Sequence, residues 1–208
     1  MSPFKKLSKE EIKRINRLQE KTFDELFNLF EPPLPKGVPE RLERIVAAGE
    51  IAPKSVILDV GTGTGILIPL IMKYKPSKIY ACDLSNRMLE VVREKYPWVT
   101  AIRRDIRDLD LPDKSLDLTF MNACYPNIVD KLGAFANLAR MLKSEGRVII
   151  SHPMGRRFIE QLKKRVPFPL DDFPTKAEAV QLFGDLGFRV KTLIDKPELY
   201  VLILEKVQ

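Results

Sequence analysis

Residues 56–65 read VILDVGTGTG. A short, mostly β-branched run closes at Gly61, which predicts a strand ending in a turn. Gly61, Gly63 and Gly65 let the backbone bend sharply and approach a ligand closely. A helix follows, and its first N–H groups are free to bind. In an open α/β sheet such a loop sits at the carboxyl ends of the strands, where ligands gather. Three readings compete: an ordinary tight turn, a dinucleotide loop, or a loop for another ligand. The spacing is GxGxG rather than GxGxxG, which counts against the dinucleotide. Asp59 precedes the glycines, where a carboxylate repels a pyrophosphate and attracts a cation.

The pattern continues downstream. KIYACDL reads as a second strand, with a helix from Asn86 to Lys95. VTAIRRD is a third strand and LDLTFMN a fourth, followed by a helix from about Lys131 to Leu142. GRVIISHP is a fifth. Strands alternating with helical crossovers predict a parallel sheet with helices on both faces. FRVKTLID and LYVLILEK are separated by a short turn at Lys196-Pro197, so they run antiparallel. The expected fold is therefore α/β and Rossmann-like: a seven-stranded, mostly parallel sheet ending in an antiparallel hairpin.

Two further acids end strands. Asp83 closes the second strand, about twenty residues past the last glycine, where a carboxylate accepts both hydroxyls of a ribose. It also suits a helix N-cap, and both readings stand. Asp105 closes the third strand. Asp59, Asp83 and Asp105 thus form a row of acids at three consecutive strand ends. An adenosine with a cationic head suits that row better than a phosphorylated ligand does.

VILDVGTGTG, ACDLSNRML, RRDIRDLDLPDKSLDLTFMNA and LARMLKSEGRVII together resemble the successive motifs of class I S-adenosylmethionine-dependent methyltransferases. Within that superfamily they are similar to the small-molecule, quinone-biosynthesis-like branch, methyltransferase type 11. The resemblance covers residues 54 to 152. It implies that Asp59, Gly61, Thr62, Gly63 and Gly65 hold the methionine end of S-adenosyl-L-methionine. It implies that Asp83 binds the ribose, with Leu84 and Met88 packed near the adenine. Asp105 would accept from the adenine amino group and Ile106 would cover the ring. Asn122 and Ala123 would line the sulfonium pocket. S-adenosyl-L-homocysteine would be the product, and no metal is implied.

The chain departs from that branch after the fourth strand. Many members carry a His in a segment like LHHVPD, whereas this chain reads NACYPNIVD, with Asn127 at the aligned position. Enzymes that methylate exocyclic base nitrogens show Asn/Asp-Pro-Pro-aromatic there, and NACY is not that motif. The single histidine, His152, lies just past the fifth strand and is the candidate general base. Tyr125 is the second catalytic candidate, as a hydrogen-bond donor or a wall of the acceptor pocket. For both residues ordinary packing is the competing reading. Tyr200 reads as core.

Outside this unit, residues 1–50 read as an N-terminal helical cap and 51–208 as the methyltransferase domain. Ser8 and Glu11 form a capping-box pattern for a helix over 8 to 30. Phe23, Phe27 and Phe30 on that helix suit a lid over the cleft, or a helix packed on the sheet. EPPLPKGVP breaks it, and a second helix spans about 39 to 49. Residues 154–174 look like a substrate-recognition insertion, with Arg156, Arg157, Lys163, Lys164 and Arg165 suited to solvent or to an anionic partner. Thr175 to Leu186 reads as a helix capped by Thr175 and Glu178.

The 208 residues are 45% hydrophobic and 30% charged, with a net charge of +7. That charge permits nucleic-acid binding, but it is spread along the chain. Cys82 and Cys124 lack metal spacing and read as free thiols of a cytoplasmic protein. No window is apolar enough to span a membrane. The expected function is methylation of a small-molecule acceptor at oxygen, nitrogen or carbon. RNA or protein methylation, or donor binding without catalysis, are the rivals.

Overall fold

The computed structural model describes residues 7–27 and 33–207. Helix α1 spans Lys9–Glu25. Its start is the expected capping box: Ser8 Oγ accepts from the Glu11 N–H, and Glu11 Oε2 accepts from the Ser8 N–H. The helix ends at Glu25 with Leu26 as its C-cap, short of the expected residue 30, and residues 28–30, Phe30 included, lie outside the described residues. Helix α2 follows at Val38–Ala48.

The sheet is built from β1 (Val56–Val60), β2 (Lys78–Asp83), β3 (Thr100–Arg103), β4 (Leu116–Asn122), β5 (Leu142–His152), β6 (Phe188–Lys196) and β7 (Leu199–Lys206). Their spatial order is β3-β2-β1-β4-β5-β7-β6. The first five run parallel, and β7 lies antiparallel to both β5 and β6. The order reverses beside β1, so the ends of β1 and β4 flank the switch point. The crossovers are α3 (Ile68–Met72), α4 (Asn86–Lys95) and α5 (Lys131–Met141). Helix α3 is shorter than expected, because the glycine loop occupies the chain up to Leu67 as turns.

Strand alternation divides the core in two. Leu58, Val148, Ile150, Leu202 and Leu204 face α5 and the C-terminal helices. Ile57, Ile149, Val201 and Ile203 face α2 and α3. A sheet buried on both faces needs apolar residues at consecutive positions, which is why VILDV and RVII read as near-continuous runs.

The segment after β5 is only partly an irregular insertion. It begins with helix α6 (Gly155–Leu162), continues as extended chain and ends at α7 (Lys176–Gly184). Thr175 and Glu178 form the expected capping box of α7. Three rings tie the extended part down. Phe173 stacks on Tyr125 at 5.8 Å and on Tyr200 at 4.5 Å between ring centres. The buried Tyr200 hydroxyl donates to the Pro174 carbonyl at 2.8 Å. Among the basic residues here, Arg156 pairs with Asp195 and Lys163 with Asp172.

Helix α1 does not pack on a sheet face. It crosses the carboxyl rim. Its Asn16 and Glu20 reach Asp105 and Arg103 at the end of β3, Asp24 reaches Ser85 after β2, and Gln19 reaches Asn127 after β4. No helix among the described residues is long and apolar enough to cross a membrane.

Tyr200→Phe is expected to lower unfolding free energy by about 1 kcal/mol, since one buried carbonyl loses its donor. Chemical denaturation measures this, and hydrogen exchange is expected to rise around residues 163–174.

Candidate functional site

The site is built around the glycine loop. Gly61, Gly63 and Gly65 all have positive φ, at 62°, 54° and 83°. At Gly61 a Cβ would lie 2.5 Å from the Cβ of Cys124, so the loop after β4 presses directly on the glycine loop. At Gly65 a Cβ would meet Ile68 and Tyr96. Gly63 differs: nothing lies within 4 Å of where its Cβ would be. Its conformation favours glycine, and the space above it is open to a ligand.

Each sequence-predicted acid has a defined place. Asp59 is 2% exposed, and its Oδ2 accepts from the Thr62 hydroxyl at 2.7 Å. Among the described residues no cation pairs with it. Burial, joined by the nearby Asp83 charge, raises its pKa to about 7. Asp83 bridges two backbone segments: Oδ2 accepts from the Gly63 N–H and Oδ1 from the Ser85 N–H, each at 2.9 Å. Burial pushes its pKa up, against those hydrogen bonds. Asp83 is thus not the N-cap of α4; Ser85 is, accepting from the Met88 N–H. Asp105 Oδ1 accepts from the Arg107 N–H, and Oδ2 accepts from Asn16 Nδ2 at 2.6 Å.

The three carboxylates lie together. After burial, the charges of Asp83, Asp105 and Asp59 all act to hold the Cys82 thiol protonated. Met88 and Ile106 are buried and Leu84 is half-buried beside this group. Asn122 Oδ1 accepts from the Ser151 hydroxyl at 3.0 Å, and Ala123 takes a φ of 58° as the chain turns away from β4. The next residue, Cys124, lies against the glycine loop, and the Tyr125 ring packs on Phe135, Phe173 and Phe183.

His152 does not suit a proton-transfer role. It is 4% exposed, with its ring 5.0 Å from Phe158 and 5.9 Å from Phe173. Its Nδ1 accepts from the Met154 N–H, and burial lowers its pKa to about 4. A weakened base behind two aromatic rings has no open path to a substrate. Tyr125 is also buried, but its ring borders a cleft, and its hydroxyl has no hydrogen-bond partner among the described residues. Burial holds its proton more tightly than in free tyrosine, so it can donate a hydrogen bond and is a poor base.

Sequence reasoning missed the polar inner face of α1. Gln19 is 2% exposed, and Asn16 takes one oxygen of Asp105. The available signal was two amides breaking the apolar stripe of Ile12, Ile15 and Leu18. The pair between buried Lys131 and exposed Asp171, at 2.5 Å and forty positions apart in sequence, left no such signal.

A cation-seeking carboxylate pair beneath a glycine loop at the β1 switch point matches a known domain. Residues 58–150 fit the methyltransferase-domain family of type 11. Over that stretch the chain is similar to class I, S-adenosylmethionine-dependent methyltransferases. A methyltransferase of Schizosaccharomyces pombe is 28% identical over 166 residues, covering 76% of this chain and 64% of that protein. The demethylmenaquinone methyltransferase of Tropheryma whipplei is 35% identical over 119 residues, covering 55% and 46%. The chain spans about half the length of the curated relatives it matches. The magnesium protoporphyrin IX methyltransferase of Synechocystis, solved with S-adenosylhomocysteine, superposes with a TM-score of 0.67 at 16% identity, covering 92% and 99%. At that identity the likeness shows the fold.

The raised pKa of Asp59 makes a stability prediction for the methyltransferase domain. A group whose folded pKa lies above its unfolded 3.8 stabilises the fold below that value. The contribution is lost as pH rises toward about 7. Asp59→Asn keeps the acceptor for Thr62 and removes the charge. It is expected to melt several degrees above wild type at pH 8 and level with it near pH 4, measured by calorimetry without ligand.

Proposed function

We propose that this chain transfers a methyl group from S-adenosylmethionine to a small-molecule acceptor. The observation that carries this reading is a buried carboxylate without a cation. Asp59 is inside the protein, beside Asp83, and among the described residues only the Thr62 hydroxyl pairs with it. Burying a carboxylate unpaired is costly. The methionine end of the donor carries an ammonium and a sulfonium, which offset that cost. Open space at Gly63 leaves room for that end of the molecule.

The remaining residues take roles that fit their positions. Asp83 keeps lone pairs for the ribose hydroxyls while its two oxygens hold the loop. Met88 and Ile106 offer apolar walls to the adenine. Asp105 would accept from the adenine amino group at the oxygen that Asn16 now contacts, so donor binding and the seating of α1 are linked. Helix α1 covers the rim and keeps water from the reacting atoms.

When bound, the donor supplies an already activated methyl group on sulfur. The protein's part is then alignment, which can contribute most of the rate. A strong base is unnecessary for a nucleophile that carries its own lone pair. The burial of His152 is therefore compatible with catalysis. Small molecules are supported by relatives such as the demethylmenaquinone methyltransferase and by NACY, which is not a base-methylating motif, although a ribosomal RNA methyltransferase also stands among the relatives.

Calorimetric titration with S-adenosylmethionine tests this. Asp83→Ala is expected to weaken binding by about ten- to a hundredfold, as loss of a charged acceptor does. Wild-type affinity is expected to fall as pH drops below about 7, because Asp59 must release its proton to hold a cation. Equal affinity for wild type and variant, or affinity flat from pH 5 to 8, contradicts the assignment.

A further inference from the structure

A cleft of about 500 Å³ opens beside the donor rim. Its walls are Ile15 of α1, Tyr125 and Asn127 after β4, Phe173 and Pro174 of the extended segment, and Leu182 of α7. It is one residue removed from the glycine loop along the chain: Cys124, next to Tyr125, is the residue that approaches Gly61. It also shares α1 with that rim: Ile15 lines the cleft and Asn16 contacts Asp105.

The charged groups of this cleft are mostly committed. Asp171 pairs with the buried Lys131, whose ammonium also donates to the Ile128 carbonyl and lies 4.7 Å from the Tyr125 ring centre. Asp172 pairs with Lys163. Glu11 and Glu178 complete capping boxes. Two groups remain. Arg14, exposed at the mouth, has no partner among the described residues. Asn127 Oδ1 is buried and has no hydrogen-bond donor. A buried acceptor without a donor is uncommon and calls for one from outside the protein. A guanidinium free at a mouth selects a planar anion, with carboxylate the best geometric match.

We propose that this cleft is the acceptor site, and that it takes a flat apolar molecule with a carboxylate at one end and a hydroxyl or amine at the other. The carboxylate meets Arg14. The apolar body lies along Ile15, Tyr125, Phe173 and Leu182. The hydroxyl or amine donates to Asn127 Oδ1, on the side of the glycine loop, and its lone pair is the nucleophile. As the methyl passes to oxygen or nitrogen, the bond to sulfur breaks with its electron pair left on sulfur. The proton of the hydroxyl or amine goes to solvent. This specifies the acceptor class and rests on the methyltransferase reading.

The test uses three probes: 6-hydroxy-2-naphthoate, 2-naphthoate and 2-naphthol, titrated by calorimetry into the full chain. The hydroxynaphthoate is expected to bind tightest, because it alone meets both Arg14 and Asn127 Oδ1. Arg14→Gln is expected to weaken both carboxylates about tenfold and to leave 2-naphthol unchanged. Leu182→Trp fills the cleft and is expected to abolish binding of all three. Unchanged S-adenosylmethionine affinity in both variants shows that they fold. If Arg14→Gln leaves carboxylate affinity intact, if 2-naphthol binds as well as the hydroxynaphthoate, or if Leu182→Trp binds all three, the proposal is overturned. Donor binding without probe binding overturns it alone. Probe binding without donor binding removes the methyltransferase reading and, with it, the cleft's role as acceptor site.

Discussion

The site depends on one carboxylate. Asp83 ends β2 and holds the N–H of Gly63 with one oxygen and the N–H of Ser85 with the other. These two bonds fix the glycine loop over β1 to the start of α4 over β2. Without them, the loop's three left-handed glycines would have many conformations instead of one. Burial makes the anchor costly, since both Asp83 and Asp59 are held above their usual pKa. Such tension between neighbouring carboxylates is a frequent mark of a functional site. A cationic ligand relieves it.

The sheet explains how the acids meet. Parallel strands place their carboxyl ends on one edge, and β3, β2, β1 and β4 are consecutive neighbours. Asp105 lies just past β3, Asp83 and Asp59 sit at or near the ends of β2 and β1, and Asn122 ends β4. Residues as far apart in the chain as Asp59 and Asn122 thus share one rim. Helix α1 then spans this rim through Asn16, Gln19, Glu20 and Asp24. The same helix carries Ile15 into the neighbouring cleft. One element therefore touches both the donor rim and the proposed acceptor cleft.

Much of this was legible in sequence, for a physical reason. The glycine loop, the capping boxes at Ser8 and Thr175, and the terminal hairpin are set by residues within a few positions of each other. Local sterics and hydrogen bonds decide them. The row of acids was legible once the strands were, because strand ends fix where such residues go. What escaped was set by long-range packing. His152 looked available because it follows β5. Phe158 and Phe173 enclose it, and nothing near it in sequence announces that. Phe173 between Tyr125 and Tyr200, Lys131 against Asp171, and the seating of α1 on the rim all join distant segments. Their cost and gain belong to the assembled core rather than to any local pattern.

A crystal structure of the chain with S-adenosylhomocysteine tests the central claim most directly. The account predicts the ribose hydroxyls within hydrogen-bond distance of Asp83, the amino-acid end over Gly63 beside Asp59, and α1 still crossing the rim. Density for the nucleoside away from Asp83, or a carboxylate of the ligand beside Asp59 where its ammonium belongs, would contradict it.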